Sequence, residues 1–469
     1  MAPAEEPYPL AESARDVRRS FHPVTCLERV PAVEDQMRLD AGPGPRLFYP
    51  QTIRVVQDGQ GKYREERSMY DLILKGGNVI DPSQGLNGVY DVAIDRGTIA
   101  AITPSVTEEA RAVIDVRGKT LTPGLIDTHA HVYRGGTPPT LGVDADLIGV
   151  RAGVATVVDA GSAGCNTFEG FPLYVIPNAD TEVIPFIHIG RTGQAQFPDI
   201  LGQRHVDLDA TMRTIETHKD LIKGVKVRMT GLTLELMGVE LARQAKRVAA
   251  EAGIPLMMHI GIAGDTDARF DPDAIRELLP ILQKGDIVTH CCTHAVGGML
   301  DREGKAVPEA REAYDRGVWF DMGIGGGNSI DVTRRMLDQG LVPHCLGTDM
   351  TATSRSNSVH SFVEVMTRFL ALGFSLEQVV TMATSNPAKA IGAEDRLGSL
   401  APGRQADVSV LEVRDGEWIV YDTDMRSGRT GSVRTEQAVV PVLTVKRGEV
   451  FTPEWGPRPW GWEPDPVPE

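Results

Sequence analysis

The sequence lacks most features that mark secreted or membrane-spanning proteins. Its five cysteines include no Cys-X-X-Cys pair, and an odd number argues against a disulfide framework. No apolar run approaches the roughly 20 residues that span a bilayer. The acidic N-terminus lacks the basic and apolar regions of a secretory signal. We therefore expect a cytoplasmic protein with reduced thiols.

Positive charge and aromatic side chains are also scarce. The chain of 469 residues has 64 acidic and 48 basic residues, which leaves a formal charge of −16, and only 6% of its residues are aromatic. This balance argues against a nucleic-acid-binding protein, which needs a basic face. The 41% hydrophobic and 24% charged fractions are ordinary for a globular chain. We expect a small-molecule substrate, no membrane partner and a homo-oligomer.

The composition and residue pattern change along the chain and suggest one barrel with additions at both ends. An irregular N-terminal arm comes first, and a tail rich in Trp and Pro comes last. Short strands on both sides of a long βα alternation predict a small composite β-sandwich domain. The expected segments are the arm at 1–68, the β domain at 69–118 and 396–450, the barrel at 119–395 and the tail at 451–469. We expect the arm and the tail to wrap the barrel or a neighbouring subunit.

The alternation of apolar strands and amphipathic helices predicts the fold class, an α/β protein with a (β/α)₈ TIM barrel. A doubly wound sheet is the alternative, but no Gly-X-Gly-X-X-Gly turn follows the first strand. The longest helix is expected over Leu234–Ala252 and a shorter one over Asp273–Gln283. The expected barrel strands are Leu125–Val132, Thr156–Ser162, Val183–Gly190, Gly224–Thr230, Pro255–Ile260, Asp286–Cys292, Val318–Gly323 and Cys345–Met350.

The densest chemical signal is the pair His129 and His131 at the end of the first barrel strand. Side chains alternate along a strand, so both imidazoles point to the same side. The C-terminal ends of barrel strands are where active sites lie. Two neutral imidazoles at such a place can bind a divalent metal, whereas two satisfied core histidines are the plainer interpretation.

Four further candidates fall near the ends of later strands, namely Lys226, His259, His290 and Asp349. Lys226 and His259 are 33 residues apart, and His259 and His290 are 31 apart, which is about one βα unit each. This spacing places the candidates on one rim of the barrel and favours a metal site over scattered core residues. Lys223 is a weaker candidate, because it has the opposite parity on its strand.

Several motifs resemble those of the amidohydrolase superfamily. The run Leu121–His131 is similar to its strand-1 motif, and Ser385–Gly392 followed by Leu397–Asp407 resembles its C-terminal signature. Within it, Gly153–Gly164 and Gly224–Thr230 resemble the dihydroorotase-like branch of amidohydrolase/deacetylase metallohydrolases. The resemblance covers about residues 70–450 and leaves out the arm and the tail.

The resemblance implies a site with two divalent metal ions, normally zinc. It implies that the more buried metal is bound by His129, His131 and Asp349, and the second by His259 and His290. It implies further that Lys226 is carboxylated on its side-chain nitrogen and bridges both ions. The implied reaction is hydrolysis by a hydroxide between the metals, with Asp349 as general base and then general acid.

Three residues are weaker candidates for substrate binding. Arg228 shares the inward face with Lys226 and could bind a substrate carboxylate, or it could pair with Asp159 or Asp321. The segment around Ser162 could offer backbone N–H groups to an oxyanion or form a tight turn. His294 is expected at the rim.

Together these patterns predict a metal-dependent hydrolase that cleaves an amide or ester bond of a small, carboxylate-bearing acyl compound. One alternative is a cyclic-amide hydrolase of the hydantoinase or dihydroorotase type. Dihydroorotase-like chains usually place an arginine two residues after the second histidine, where this chain has Tyr133. A mononuclear deaminase and a barrel without catalytic activity are two further alternatives. Filled ligand positions argue against the inactive barrel, and a deaminase would leave Lys226 without a role.

Overall fold

The computed structural model describes residues 54–57, 63–66, 69–261, 272–325, 327–423 and 431–468. The chain forms two compact units, Met1–Glu66 and Arg67–Glu469. In the first unit, strands β1 (Arg54–Gln57) and β2 (Tyr63–Glu66) pair antiparallel. Most of the expected N-terminal arm lies outside the described residues, so its wrapping of the barrel stays a prediction.

The second unit contains a nine-stranded sheet and a barrel. The strands before the barrel are β3 (Met69–Asp81), β4 (Leu86–Asp95), β5 (Thr98–Thr103), β6 (Glu109–Asp115) and β7 (Thr120–Pro123). The barrel strands are β8 (Leu125–Ala130), β9 (Val154–Gly164), β10 (Glu182–His188), β11 (Val225–Arg228), β12 (Leu256–His259), β13 (Ile287–Thr289) and β14 (Trp319–Asp321). The strands after the barrel are β15 (Val408–Tyr421), β16 (Ser432–Lys446), β17 (Glu449–Phe451) and β18 (Asp465–Pro466).

The nine-stranded sheet combines strands from both sides of the barrel in sequence. Its order is β17-β16-β15-β7-β3-β4-β5, with β18 added to β15 and β6 added to β3. Its buried side chains, among them Leu74, Ile94 and Val410, form a core of their own. The sheet therefore has its own apolar core, separate from the main core of the barrel.

The barrel strands β8 to β14 are parallel and lie side by side in chain order. Every residue of β9 is buried, as expected for a parallel sheet covered by helices. The predicted fold class, a TIM barrel with an additional β domain, is confirmed. The barrel is nearly closed, because β8 and β14 contact the segment Cys345–Met350 through isolated parallel bridges.

That segment was expected as the eighth strand, but it is not a regular strand. Asp127 accepts the Thr348 N–H at 3.0 Å and the Thr348 hydroxyl at 2.6 Å, so a side chain replaces part of the ladder. Asp349 then has a φ of +52°, which no strand accommodates. Asp127 and the left-handed Asp349 thus convert the end of the barrel into an irregular segment.

The helices lie between the strands and after them. They are α1 (Ala145–Ile148), α2 (Leu208–Thr217), α3 (Gly231–Met237), α4 (Glu240–Ala252), α5 (Ile275–Leu278), α6 (Pro308–Arg316), α7 (Ile330–Asp338), α8 (Ala352–Asn357), α9 (Phe362–Ala371), α10 (Leu376–Ala383) and α11 (Ser385–Ala390). No helix in the described ranges is both long and apolar enough to cross a bilayer.

Two expected helices differ from the structure. The helix expected over Leu234–Ala252 is divided into α3 and α4 at Gly238, whose φ of +58° and ψ of −169° only glycine adopts readily. In Asp273–Gln283 only α5 is α-helical and 3₁₀ turns flank it, since Pro280 cannot donate a helical hydrogen bond. Hydrophobic periodicity alone conceals both interruptions.

The Trp/Pro-rich tail packs on the second unit of the same chain. Arg458 is buried, with Nη2 2.7 Å from Glu364 of α9 and Nε 3.1 Å from Asp465. Trp462 is also buried, and its indole N–H donates to the Glu454 carbonyl. Arg458 thus anchors the tail to α9, and the Trp462 side chain packs in the main apolar core.

Candidate metal centre

The six residues expected as ligands lie at the C-terminal ends of the barrel strands. His129 lies in β8 and His131 just after it, and Lys226 lies in β11. His259 is the last residue of β12, and His290 directly follows β13. Asp349 lies in the irregular segment that closes the barrel. The imidazoles and the lysine are buried, whereas the Asp349 side chain is 16% exposed.

Three of these side chains converge on the Asp349 carboxylate. His129 Nε2 lies 3.2 Å and His131 Nε2 lies 3.1 Å from Asp349 Oδ1. His290 Nε2 lies 4.0 Å from Asp349 Oδ2. Ligand atoms of His129, His290 and Asp349 all fall within 4.8 Å of one another, a spacing that suits a shared cation.

The proton of His131 can be assigned from its surroundings. The Ser162 hydroxyl donates to Asp159 Oδ2 at 2.8 Å, so it can only accept from His131 Nδ1, 2.9 Å away. Asp159 also accepts the N–H groups of Val132 and Ser162, which favours its carboxylate form. His131 therefore carries its proton on Nδ1 and presents a lone pair at Nε2.

His129 is held by an equivalent arrangement. The Thr289 hydroxyl donates to Asp321 Oδ2 at 2.6 Å and accepts from His129 Nδ1 at 2.8 Å. Thr128 donates to the other oxygen of Asp321 at 2.5 Å. Here too the lone pair lies on Nε2 and points toward Asp349. A hydroxyl backed by a buried carboxylate thus fixes the tautomer of each histidine.

The donor set therefore fits a divalent cation. The Nε2 lone pairs assigned to His131 and His129 face the same carboxylate oxygen at 3.1 and 3.2 Å, and a cation placed between these donors would relieve their mutual repulsion. Buried His290 Nε2 has no hydrogen-bond partner among the described residues. Burial lowers the pKa of His129 and His259 well below the usual value and that of His290 to about 3, so all three are neutral ligands near pH 7.

His259 and Lys226 complete the cluster. The His259 ring lies 3.8 Å from the His290 ring, measured between centroids. Lys226 is fully buried, and its Nζ lies 3.2 Å from His129 Nε2. Burial, its largest influence, lowers the pKa of Lys226 to about 7. Lys223, the rejected candidate, instead donates to the Lys219 carbonyl on the exposed side.

The residues expected to bind substrate have different outcomes. Arg228 contacts neither Asp159 nor Asp321 but pairs with Asp199, with Nη1 3.3 Å from Oδ1. Ser162 is buried behind His131 with both its N–H and its hydroxyl bonded to Asp159, so these two groups are engaged within the protein and its contact with substrate stays a prediction. His294 is exposed at the rim, where its Nδ1 contacts the Gly327 carbonyl at 2.7 Å.

Sequence reasoning missed the residues that support the expected ligands and Arg228, namely Asp127, Asp159, Thr289 and Asp321 for the ligands and Asp199 for Arg228. The first four lie on or beside strands that carry a ligand, and Thr289 directly precedes His290. A polar residue in an otherwise apolar barrel strand was the available signal. Asp199 lies in a loop, where no periodicity points to it.

Comparison with known proteins identifies relatives of the whole barrel. The model of the amidohydrolase family matches residues 120–450. A deacetylase of Brucella anthropi is 29% identical over 71% of this chain and 82% of its own length. An adenine deaminase structure superposes with a TM-score of 0.74 and 26% identity, covering 82% of this chain and all of that one. A dihydroorotase structure gives 0.70 and 26%, covering 82% of this chain and 98% of that one.

Proposed function

The chain belongs to the amidohydrolase family and is a hydrolase, and we propose that it cleaves an amide or ester bond of a small, carboxylate-bearing acyl compound. The observation that carries this proposal is the convergence of two tautomer-fixed imidazoles on Asp349 beside buried Lys226. Such a set of donors suits a divalent metal, and the Asp349 carboxylate remains partly exposed. The relative named as a deacetylase supports acyl cleavage.

We infer two metal positions, normally filled by zinc. His129, His131 and Asp349 would hold one ion, and His259 and His290 would hold the other. When bound, the ions would polarise the substrate carbonyl and lower the pKa of the attacking water. Because the same donors accept several divalent ions, zinc is assigned here by the family resemblance alone.

Lys226 would bridge the two positions as a carbamate. With a pKa of about 7, a large fraction of its amine is unprotonated near neutral pH. The nitrogen lone pair can then bond to the carbon of CO₂, which yields a carbamate anion and releases one proton. The product replaces a cation, which cannot bind a metal, by an anionic oxygen donor.

Asp349 is the residue assigned to proton transfer. Its Oδ1 faces His129 and His131, and its carboxylate is the partly exposed member of the cluster. It can take the proton of the attacking water and deliver it to the leaving nitrogen or oxygen. The ligands that surround Asp349 hold it in place for this transfer.

Arg228 is the candidate anchor for the substrate carboxylate. It lies two residues beyond Lys226 on the same face of β11, and its side chain is 12% exposed. Arg228 Nη1 contacts Asp199, and the remaining N–H groups of the guanidinium can donate to a substrate carboxylate. His294, on a neighbouring rim loop, is the second candidate for contact with substrate.

Cyclic-amide hydrolysis is the second candidate function, favoured by the similarity to a dihydroorotase structure. The position where dihydroorotase-like chains usually carry an arginine is Tyr133. It is buried, packs on Phe171 and donates its hydroxyl to the Thr167 carbonyl. The side chain at this position is therefore engaged within the protein, and the missing arginine favours an open-chain substrate over a cyclic one.

The test is metal analysis combined with a substrate panel. We expect about two zinc ions per chain and hydrolysis of N-acetyl or O-acetyl carboxylic acids in preference to hydantoins or dihydroorotate. Asp349→Asn should abolish turnover while the chain stays folded. A chain that binds no metal and hydrolyses no panel member would refute the proposal. Turnover of cyclic amides alone would favour the second function.

A further inference from the structure

Arg228 is held from behind by a buried pair of residues. Asp199 follows β10 in a loop and is 2% exposed, and its Oδ1 lies 3.3 Å from Arg228 Nη1. Its other oxygen lies 2.9 Å from Nε2 of His188, the last residue of β10. Among the described residues neither of these two atoms makes a hydrogen bond of good geometry, so their 2.9 Å approach is a close polar contact. The guanidinium, the carboxylate and the imidazole therefore form one chain of contacts.

The proton on His188 can be assigned. Its Nδ1 accepts the Gly190 N–H at 2.9 Å, so Nδ1 carries a lone pair and the ring proton lies on Nε2. The protonated Nε2 of His188 therefore faces Asp199 Oδ2 at 2.9 Å and holds the carboxylate beside Arg228 by electrostatic attraction.

A second contact restricts the guanidinium plane. The Phe197 ring, from the same loop as Asp199, lies 5.2 Å from Arg228 Cζ, measured to its centroid. A cation over an aromatic face is attracted by the negative face of the ring. Asp199 fixes the guanidinium at one edge and Phe197 covers it, so the freedom of Arg228 is limited on two sides.

We propose that Asp199 and His188 are positioning residues that orient Arg228 to bind a substrate carboxylate, and that they make the site selective for anionic over neutral substrates. This inference rests on the proposed function for the identity of the substrate end that Arg228 meets. It adds two specificity-determining residues that do not touch the substrate themselves. Their effect is transmitted through the orientation of the guanidinium.

The sign of one substitution separates orientation from charge. Asp199→Asn removes a negative charge beside Arg228, so by Coulomb's law alone the site should bind an anion more tightly. If the orientation of the guanidinium matters more than the local charge, the released Arg228 side chain should bind the substrate carboxylate less tightly. We expect about a tenfold loss of carboxylate affinity, which corresponds to about 1.4 kcal/mol.

The binding experiment uses lactate and its neutral counterpart lactamide, titrated calorimetrically into the zinc-loaded protein. The wild type should prefer lactate, and Arg228→Gln should lose that preference. Asp199→Asn should weaken lactate binding about tenfold and leave lactamide unchanged. Tighter or unchanged lactate binding by Asp199→Asn, or a wild type without preference, would overturn the inference.

Two further variants guard against misfolding. His188→Gln keeps an N–H donor and a carbonyl acceptor and should retain most of the lactate affinity, whereas His188→Leu should lose it. Asp207→Asn is the matched control. It removes the ion pair between Asp207 and Arg191, whose Nη2 lies 3.0 Å from Asp207 Oδ2. Asparagine at this position can still cap the N-terminus of α2. It should change nothing, and equal losses in His188→Gln and Asp207→Asn would refute the assignment.

The turnover readout separates this inference from the proposed function. With an acyl carboxylic acid that the wild type hydrolyses, Asp199→Asn should raise KM about tenfold. It should keep kcat within about twofold of the wild type, since the proposed metal ligands are unchanged. If the wild type hydrolyses nothing but the binding pattern holds, the proposed hydrolysis fails and the positioning role stands. If hydrolysis occurs and KM is unchanged, the positioning role alone is refuted.

Discussion

Thr289→Val tests whether a hydroxyl behind a ligand sets the metal affinity. Valine has nearly the shape of threonine, but it neither donates to Asp321 at 2.6 Å nor accepts from His129 Nδ1 at 2.8 Å. Losing such a supporting contact typically reduces metal affinity about 10- to 100-fold. At about 1.4 kcal/mol per factor of ten, this is about 1.4–2.8 kcal/mol of binding free energy.

The folding stability of the metal-free chain should fall as well. Asp321 keeps the Thr128 hydroxyl at 2.5 Å, so it loses one of two hydroxyl donors. His129 Nδ1 loses its acceptor and faces Asp321 Oδ2 at 3.5 Å. A buried polar group left without its partner costs about 1–3 kcal/mol, and the cost falls toward the lower end if His129 moves to close that gap.

The assay is competition with a chromophoric chelator at constant pH, together with urea denaturation of the metal-free chain. Thr289→Ser should keep near wild-type affinity because it restores the hydroxyl. Thr211→Val is the matched control, since this buried hydroxyl in α2 donates to the Asp207 carbonyl and contacts none of the expected ligands. Unchanged or tighter metal binding by Thr289→Val would refute the reasoning, because His129 and Asp321 would then fix the tautomer by themselves.

Three further predictions concern Lys226, the glycine beside it and the tail. Between about pH 7 and 10 the folded chain loses the Lys226 proton, whereas the unfolded chain retains it. The free energy of unfolding of the metal-free chain should therefore rise with pH by up to about 1.4 kcal/mol per pH unit. Urea denaturation of Lys226→Met at several pH values should lack that slope. Gly161→Ala, with φ +82° and a Cβ 2.6 Å from Lys226 Cβ, should lower the metal content measured by elemental analysis, whereas Gly118→Ala, with φ +76° and open space, should not. Arg458→Met breaks a buried ion pair and should lower the unfolding free energy by about 3 kcal/mol; unchanged denaturation would contradict the tail's anchoring role.

The ligand positions were predictable from sequence because they follow the barrel repeat. Parallel strands of a barrel all end at one rim, so the spacing from Lys226 to His259 and then to His290 already implies proximity. No knowledge of the loops is needed for this inference. The βα alternation carries the fold class for the same reason, since each strand and helix is recognised from its own residues.

The supporting residues were not predictable in the same way. The roles of Ser162 and Thr289 depend on which histidine nitrogen each hydroxyl meets across neighbouring strands. Asp199 reaches Arg228 from a loop whose conformation depends on packing with the rest of the barrel. The division at Gly238 depends on a backbone conformation, which hydrophobic periodicity does not report. In each case the deciding contact is remote in sequence.

Backbone strain gives an independent argument that His290 and Asp349 serve function. Among the described residues, four that are not glycine have positive φ, namely Arg96, His290, Asp349 and Arg447. The two arginines each precede a glycine in a tight turn between antiparallel strands, where positive φ is expected.

His290, directly after β13, and Asp349, in the irregular segment that closes the barrel, have φ of +65° and +52° where no hairpin requires them. A left-handed conformation costs about 1–2 kcal/mol per residue. It is maintained here by long-range contacts, with the Asp349 N–H donating to the His129 carbonyl at 2.6 Å and the Cys291 N–H to the Asp321 carbonyl at 3.2 Å. Glycine would relieve this strain at both positions but would supply no ligand. The strain is therefore concentrated on the two residues whose imidazole and carboxylate must face the same point, as expected if cation binding fixes their identity.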